Sequence, residues 1–424
     1  MTPRWSPSRG FLVLVVLLGL APGAASAQPR PDRSAPRITA PAAIVIEAST
    51  GDVLYTRKAD DRRSIASVTK LMTALVTLEN AELGDVLSAV DYRAEPLESL
   101  VYLRAGERMT VRDLLRAALL PSGNDAAATL ASGTLGRRAF VREMNRRARA
   151  LGLRNTHYTN PVGLDEPGTH SSARDLARLA IHLRHNAFFR KTVALPRVTL
   201  KSGDRPREAI NRNTLVRRKD IDGVKTGATS QAGNVLVGSA TRNGVTVFSV
   251  VLGARSPQDR DDDTLALLRF GLRAYRSAVP LSKGRTLGKV DLKYRDDETV
   301  EAVAGQTVRR VLRRGQHTRV SVVGLPDEID GPLPRASRIG TAIVRAGDKA
   351  LARVPLVTAR PITEAGFANR LDDLARKPLT IGTFCLLLAC TLSLLALRRR
   401  RTMQRRRSLK VGRPRTRPSK ETQV

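Results

Sequence analysis

The feature that most limits this chain is a run near its C-terminal end. Leu379 to Leu397 is 19 residues without a charged side chain, and Arg398-Arg399-Arg400-Arg401 follows at once. At a rise of about 1.5 Å per residue, a helix of that length covers roughly the 30 Å of a bilayer's hydrocarbon. The run has no polar face, which argues against a helix lying along the membrane surface. The expectation is a transmembrane helix over 379–397. Positive charge marks the cytoplasmic side, so the arginines should lie inside and the bulk of the chain outside. Residues 398–424 hold twelve Lys/Arg and one Glu, or +11 of the formal +34. A topogenic tail in contact with anionic lipid is the expected role.

The other end agrees with that topology. Residues 1–27 have Arg4 and Arg9, then the apolar run Phe11 to Leu20, then the small residues Ala25-Ser26-Ala27. That order predicts a secretory signal peptide with a cleavage site, and a retained anchor is the alternative. Residues 28–40 are Pro-rich and polar, and are expected to be an unstructured linker.

Charge and composition narrow the function classes. The chain has 73 Lys+Arg against 39 Asp+Glu. The chain shows no aromatic-interleaved basic patch and no nucleic-acid motif, so the charge points to an anionic surface or polymer rather than to nucleic acid. Cys385 and Cys390 both lie in the apolar run. They leave no thiol outside it for catalysis, metal binding or a disulfide framework. The five histidines show no metal-ligand spacing with acids or thiols.

Between the ends the texture changes once. Ala42–Glu47 and Val53–Tyr55 are strand-like around a turn. The block from about 65 to 190 is mostly helical, with helices expected at Val111–Leu120, from Asp125, at Arg137–Leu151 and at Ala173–His185. Strands return at Val235–Val237 and Val245–Leu252, joined by Asn243-Gly244, a strong hairpin signal. A helix from about Asp259 to Tyr275 follows. Strands at both ends with helices between predict one mixed α/β domain over 41–278. Short alternating runs separated by Gly, Asp and Pro predict a small β-rich domain over 279–361. A juxtamembrane segment, 362–378, could form a short amphipathic helix.

Three short motifs carry chemistry. Ser67 and Lys70 are three apart where a helical pattern begins, so both face one side. A serine hydroxyl needs a base to become a nucleophile. A lysine can be that base if burial or a neighbouring cation lowers its pKa. The alternative is an N-capping serine beside a solvated lysine. Ser122-Gly123-Asn124 lies on a loop between helices, where a hydroxyl and an amide can relay protons and orient a substrate. Lys225-Thr226-Gly227 opens the strand-rich region, where a lysine and a hydroxyl at a strand edge can bind a carboxylate and an extended peptide. A second such triplet, Lys201-Ser202-Gly203, runs into Asp204-Arg205-Pro206 and reads as a structural turn.

Ser-x-x-Lys, Ser-Asp-Asn and Lys-Thr-Gly are the motif set of penicillin-binding proteins and class A β-lactamases, and here Gly123 stands where that set has Asp. Over residues 40–280 the chain resembles the low-molecular-weight penicillin-binding proteins that act as D-alanyl-D-alanine carboxypeptidases. The resemblance extends to Leu114–Ala127, Asn160–Asp165 and Asp222–Gly227. It implies the penicillin-binding fold, an antiparallel sheet flanked by helices plus a helical subdomain, with the small β-rich domain and the anchor behind it. It implies Ser67 as acylated nucleophile, Lys70 as proton acceptor and Ser122 as proton relay. Asn124, Lys225, Thr226 and Gly227 would bind substrate, and the backbone N–H groups of Ser67 and Ala228 would form the oxyanion hole. The implied substrate is the peptidoglycan stem peptide, with β-lactams as inhibitors and no metal or organic cofactor needed.

Three rivals remain. An endopeptidase or transpeptidase on cross-links would use the same acyl-enzyme. A β-lactamase would need a fast deacylation base, and Glu166 lies in what resembles the carboxypeptidase loop instead. A wall-binding protein with a decayed site would not need Ser67.

Overall fold

In the computed structural model, the described residues are 35–408 apart from Asp296 and Lys377. The expected signal peptide and the tail beyond Ser408 lie outside them. Strand β1 (Ala42–Glu47) is apolar from Ala42 to Ile46 because both of its faces are covered. Ala42, Ile44 and Ile46 join the large core toward the helices, while Ala43 and Val45 join a smaller cluster on the opposite face. Strand β2 (Val53–Arg57) returns beside it, and a 3₁₀ turn at Ala66–Thr69 leads into α1 (Lys70–Asn80).

The helical part comes next. A small hairpin, β3 (Val86–Ser88) and β4 (Arg108–Thr110), precedes α2 (Val111–Leu119). Thr110 caps α2 by accepting from the Asp113 N–H. Helices α3 (Asn124–Thr134), α4 (Arg137–Ala150), α5 (Ala173–Leu183) and α6 (Ala187–Val193) follow. A second hairpin, β5 (Arg197–Leu200) and β6 (Arg207–Ile210), turns at Lys201-Ser202-Gly203. The Asp113 carboxylate accepts from the N–H groups of Lys201 and Ser202, so that triplet is a structural turn, as expected.

Strands β7 (Ile221–Thr229), β8 (Gly233–Arg242) and β9 (Val245–Ala254) complete the main sheet, in the order β2-β1-β9-β8-β7. Chain ends that pair side by side, β1 on β9, close the domain. Asn243 and Gly244 both have positive φ, as a two-residue hairpin turn between β8 and β9 requires. Helix α7 (Pro257–Ala274) covers the outer face, and Leu267 packs on Ala43, Val45 and Val251. Its Asp263 accepts from the N–H groups of Thr39 and Ala40. The expected unstructured linker is therefore ordered at its end, with Ile38 and Ala40 buried.

The C-terminal part is all-β. Strands β10 (Tyr275–Leu281), β11 (Thr286–Leu292), β12 (Thr299–Ala304), β13 (Val308–Arg313), β14 (Arg319–Val323), β15 (Glu328–Ile329), β16 (Arg338–Ala346) and β17 (Lys349–Thr358) form a two-stranded ribbon, β10-β13, and a six-stranded sheet. The sheet order is β14-β16-β17-β12-β11-β15, around a core that includes Val290, Val300, Val344 and Leu356. Strand β10 runs on across the boundary expected at residue 278. Helices α8 (Phe367–Arg376) and α9 (Pro378–Ser408) follow. Within α9, Ile381–Met403 is long and apolar enough to cross a membrane, and none of its apolar window is buried against the protein.

Candidate active site

Ser67 does not sit in the first turn of α1, where the sequence pattern puts it. It lies in the preceding 3₁₀ turn, and Thr69 is the residue at the helix N-cap. Neither helix start has a side-chain cap, so Ser67 is not a capping residue. Its Oγ accepts a hydrogen bond from Lys70 Nζ at 3.1 Å. Lys70 is fully buried, which also excludes the solvated-lysine reading. Its Nζ further donates to Asn124 Oδ1 at 2.5 Å and to the Val162 carbonyl at 2.7 Å.

Burial pushes the Lys70 ammonium down to about 7, with Arg212 acting in the same direction. Glu98 and Asp125 oppose that shift without cancelling it. A lysine in this state supplies a free amine near neutral pH. Lys225 is also buried, and donates to Ser122 Oγ at 3.0 Å and to the Thr226 carbonyl at 2.9 Å. Burial, then the charges of Lys70, Arg212 and Arg260, depress its pKa well below the ordinary range. Neither of these two acceptors is a carboxylate, so an incoming anion would restore favourable charge.

Three elements bring these groups together. Ser122 has φ +71°, a strained conformation that is held where its hydroxyl meets Lys225. At Gly123 a Cβ would stand 2.9 Å from Asp125 Oδ1 and 3.3 Å from the Ala117 carbonyl, which accounts for glycine in the middle of that triplet. The loop before α5 supplies Val162. Its Gly163, at φ +87°, lies so close to the 3₁₀ turn that a Cβ would be 2.1 Å from the Ala66 carbonyl. Asn160 Oδ1 ties the loop down by accepting from the N–H groups of Val162 and Gly163. Strand β7 is the last strand of its sheet, so among the described residues no other strand pairs with its outer edge. A Cβ on Gly227 would stand 3.0 Å from the Ser67 nitrogen, which puts that edge directly against Ser67. Thr226 is nearly buried and Ala228 is exposed.

Ser67, Lys70, Ser122, Asn124 and Lys225 thus converge through hydrogen bonds, with Gly227 in close approach. Sequence reasoning did not single out Glu98, Tyr92 or Arg212. Glu98 Oε2 accepts from Asn124 Nδ2 and from the Tyr92 hydroxyl, each at 2.5 Å. Arg212 donates to the Pro121 carbonyl, beside the Ser122 loop. Among the described residues no group of His, Cys, Asp and Glu could hold a metal ion. Glu166 accepts from Thr159 Oγ1, within its own loop.

Residues 30–256 match the family model of the D-alanyl-D-alanine carboxypeptidases, and 275–364 match that of the penicillin-binding protein 5 C-terminal domain. The chain is 30% identical to D-alanyl-D-alanine carboxypeptidase DacF of Bacillus subtilis, over 85% of this chain and 95% of that one. Penicillin-binding protein 5 of Haemophilus influenzae superposes with a TM-score of 0.58 at 28% identity, covering 78% of this chain and 99% of that one. A Streptomyces DD-transpeptidase superposes with a TM-score of 0.54 at 35% identity, covering 56% of this chain and 98% of that one.

Proposed function

The chain belongs to the D-alanyl-D-alanine carboxypeptidase family of serine peptidases, and we propose that it removes the terminal D-alanine of peptidoglycan stem pentapeptides through an acyl-enzyme on Ser67. Neutral Lys70 takes the Ser67 proton as Oγ attacks the carbonyl of the penultimate D-alanine. The N–H groups of Ser67 and Ala228 stabilise the tetrahedral oxyanion. The C–N bond then breaks, and a proton passed through Ser122 neutralises the departing amine. Water attacks the ester in the second half, with Lys70 again accepting the proton, and frees Ser67. Asn124 holds the substrate amide, while Lys225 and Thr226 bind the terminal carboxylate. Gly227 lets the peptide lie along the free edge of β7.

The observation that carries this reading is the 3.1 Å contact between Ser67 Oγ and a fully buried Lys70. It supplies both the nucleophile and a base with a pKa near the working pH. The same site should be acylated by β-lactams, which mimic the dipeptide. We place residues 1–27 as a cleaved signal peptide, 41–278 as the catalytic domain and 279–361 as the β-rich domain. The helix over 379–397 would hold the enzyme on the outer face of the membrane, with 398–424 in the cytoplasm.

The test is release of free D-alanine from a synthetic pentapeptide ending in D-Ala–D-Ala, by the detergent-solubilised full chain and by Ser67→Ala. Release by the first and not by the second is expected. Release by both, or by neither, overturns the reading. The likeness to a DD-transpeptidase favours one variation on the same acyl-enzyme, in which an acceptor amine replaces water. Adding an amino-acid acceptor and measuring transfer product against hydrolysis product separates the two.

A further inference from the structure

We propose that Glu98 is a positioning residue for this reaction: its carboxylate fixes the side-chain amide of Asn124 and so the geometry in which Lys70 meets Ser67. An asparagine amide has a donor end and an acceptor end of almost the same shape, and its surroundings decide which way it points. Asn124 offers its Oδ1 to Lys70 Nζ and its Nδ2 to Glu98 Oε2. Turned over, the amide would put N–H against the lysine and oxygen against the carboxylate. The anion on Glu98 makes that arrangement unfavourable.

Glu98 is itself held in place. Tyr92 donates its hydroxyl to Oε2, and the Glu95 N–H donates to Oε1 at 2.9 Å. The neighbouring Ser99 carbonyl accepts from the Asn124 N–H at 2.7 Å. Beyond it, the Asp125 carboxylate accepts from the N–H groups of Val101 and Leu103. The β3–β4 loop is therefore stitched to the start of α3 at Glu98 and along the residues that follow it. Partial burial disfavours the Glu98 charge, but the bonds from Asn124, Tyr92 and Glu95, with nearby Lys70, more than offset it. Glu98 is an anion at neutral pH.

The charged groups around Lys70 give the proposal a readout. Glu98 from the β3–β4 loop and Asp125 from α3 favour its protonated form. Arg212, from the segment after β6, disfavours it, and the Lys70 charge in turn disfavours that of Lys225, from β7. The Val162 loop contributes a carbonyl. Around Glu98 the titratable neighbours are Tyr92 and Lys70. Glu98→Gln removes one of two anions facing Lys70, so the lysine loses its proton at lower pH.

The proposal rests on the Ser67–Lys70 reading above, and the test separates the two. The second-order rate of acylation by a fluorescent penicillin is measured against pH for the detergent-solubilised full chain, Glu98→Gln and Glu98→Asp. The Gln variant should move the acidic limb of the profile to lower pH. It should also lower the plateau about tenfold, because its own amide lets Asn124 turn over. The Asp variant keeps the charge and should leave the limb near its wild-type position. A limb that stays in place or moves up in the Gln variant overturns the proposal while the wild type still acylates. An unreactive wild type overturns the Ser67 reading instead. Should the Gln variant not fold, Tyr92→Phe takes its place. Losing that donor leaves the Glu98 charge less compensated and should move the limb to higher pH, and an unmoved limb overturns the proposal.

Discussion

Lys70 sets the pH response of the molecule at two levels. Its ammonium titrates at about 7 in the folded chain, against 10.5 for an ordinary lysine, because burial removes its water. Between those values the unfolded chain binds a proton that the folded chain has released, so stability rises with pH across the window. Below about 7 both states are protonated and the cost of the buried charge is complete. In the proposed mechanism the chemistry follows the same titration, since only the neutral amine would accept the Ser67 proton. Acylation by penicillin should rise about tenfold per pH unit below 7 and level off above it, in a stopped-flow profile. Lys70→Gln should lose about 10²- to 10⁴-fold on the plateau above pH 7, with no limb left near 7. The groups that do this work were unevenly legible. Ser67, Lys70, Ser122, Asn124 and Lys225 belong to short motifs whose residue types make chemical sense together. Glu98 and Tyr92 lie in an aperiodic loop, and nothing local in the sequence distinguishes their polar side chains from solvated ones. Their partner Asn124 is 26 residues away from Glu98, so only the fold brings them to it.

At the scale of elements, the decisive contact is between two turns. The 3₁₀ turn at Ala66–Thr69 holds Ser67, and the Val162-Gly163 loop presses against it. A methyl group at residue 163 has no room beside the Ala66 carbonyl, and φ +87° is unfavourable for any side chain. Gly163→Ala should therefore cost about 3 kcal/mol, from overpacking plus left-handed strain. It should also move both the Val162 carbonyl and Ser67, so penicillin acylation should fall further than the melting temperature alone accounts for. Thermal melts beside acylation rates check this. A variant that melts and reacts like the wild type would show that the turns are not coupled. The strands and longer helices were legible because apolar period and turn residues agree, as at Asn243-Gly244. The 3₁₀ turn was not, because the apolar pattern of α1 continues back to Val68 and Ile65, and Ser67 reads as part of the same helix. The short β3–β4 hairpin was missed as well, for two three-residue strands carry too little alternation to register.

For the whole molecule, the question is how a catalytic part and a β-rich part stand on one apolar helix. The two parts meet where the Tyr275 hydroxyl donates to Asp52 and Arg313 Nε donates to that hydroxyl. The apolar helix was legible from hydropathy alone, since Phe384, Leu387 and Leu395 are exposed and find no protein surface to cover them. The chain provides its own probe of this topology. Its two cysteines, Cys385 and Cys390, both lie in the apolar segment. If that segment is in hydrocarbon, a membrane-impermeant maleimide should label neither in intact cells and both once detergent dissolves the bilayer. Two added cysteines fix the orientation. Ser282→Cys, exposed in the β-rich part, should label from outside in intact cells. Ser419→Cys, in the basic tail, should label only after the membrane is opened. Labelling of Ser419→Cys in intact cells would put the arginines outside, against the charge rule, and would leave the site facing away from the wall. Labelling of Cys385 or Cys390 in intact cells would mean that the helix lies on the membrane rather than through it.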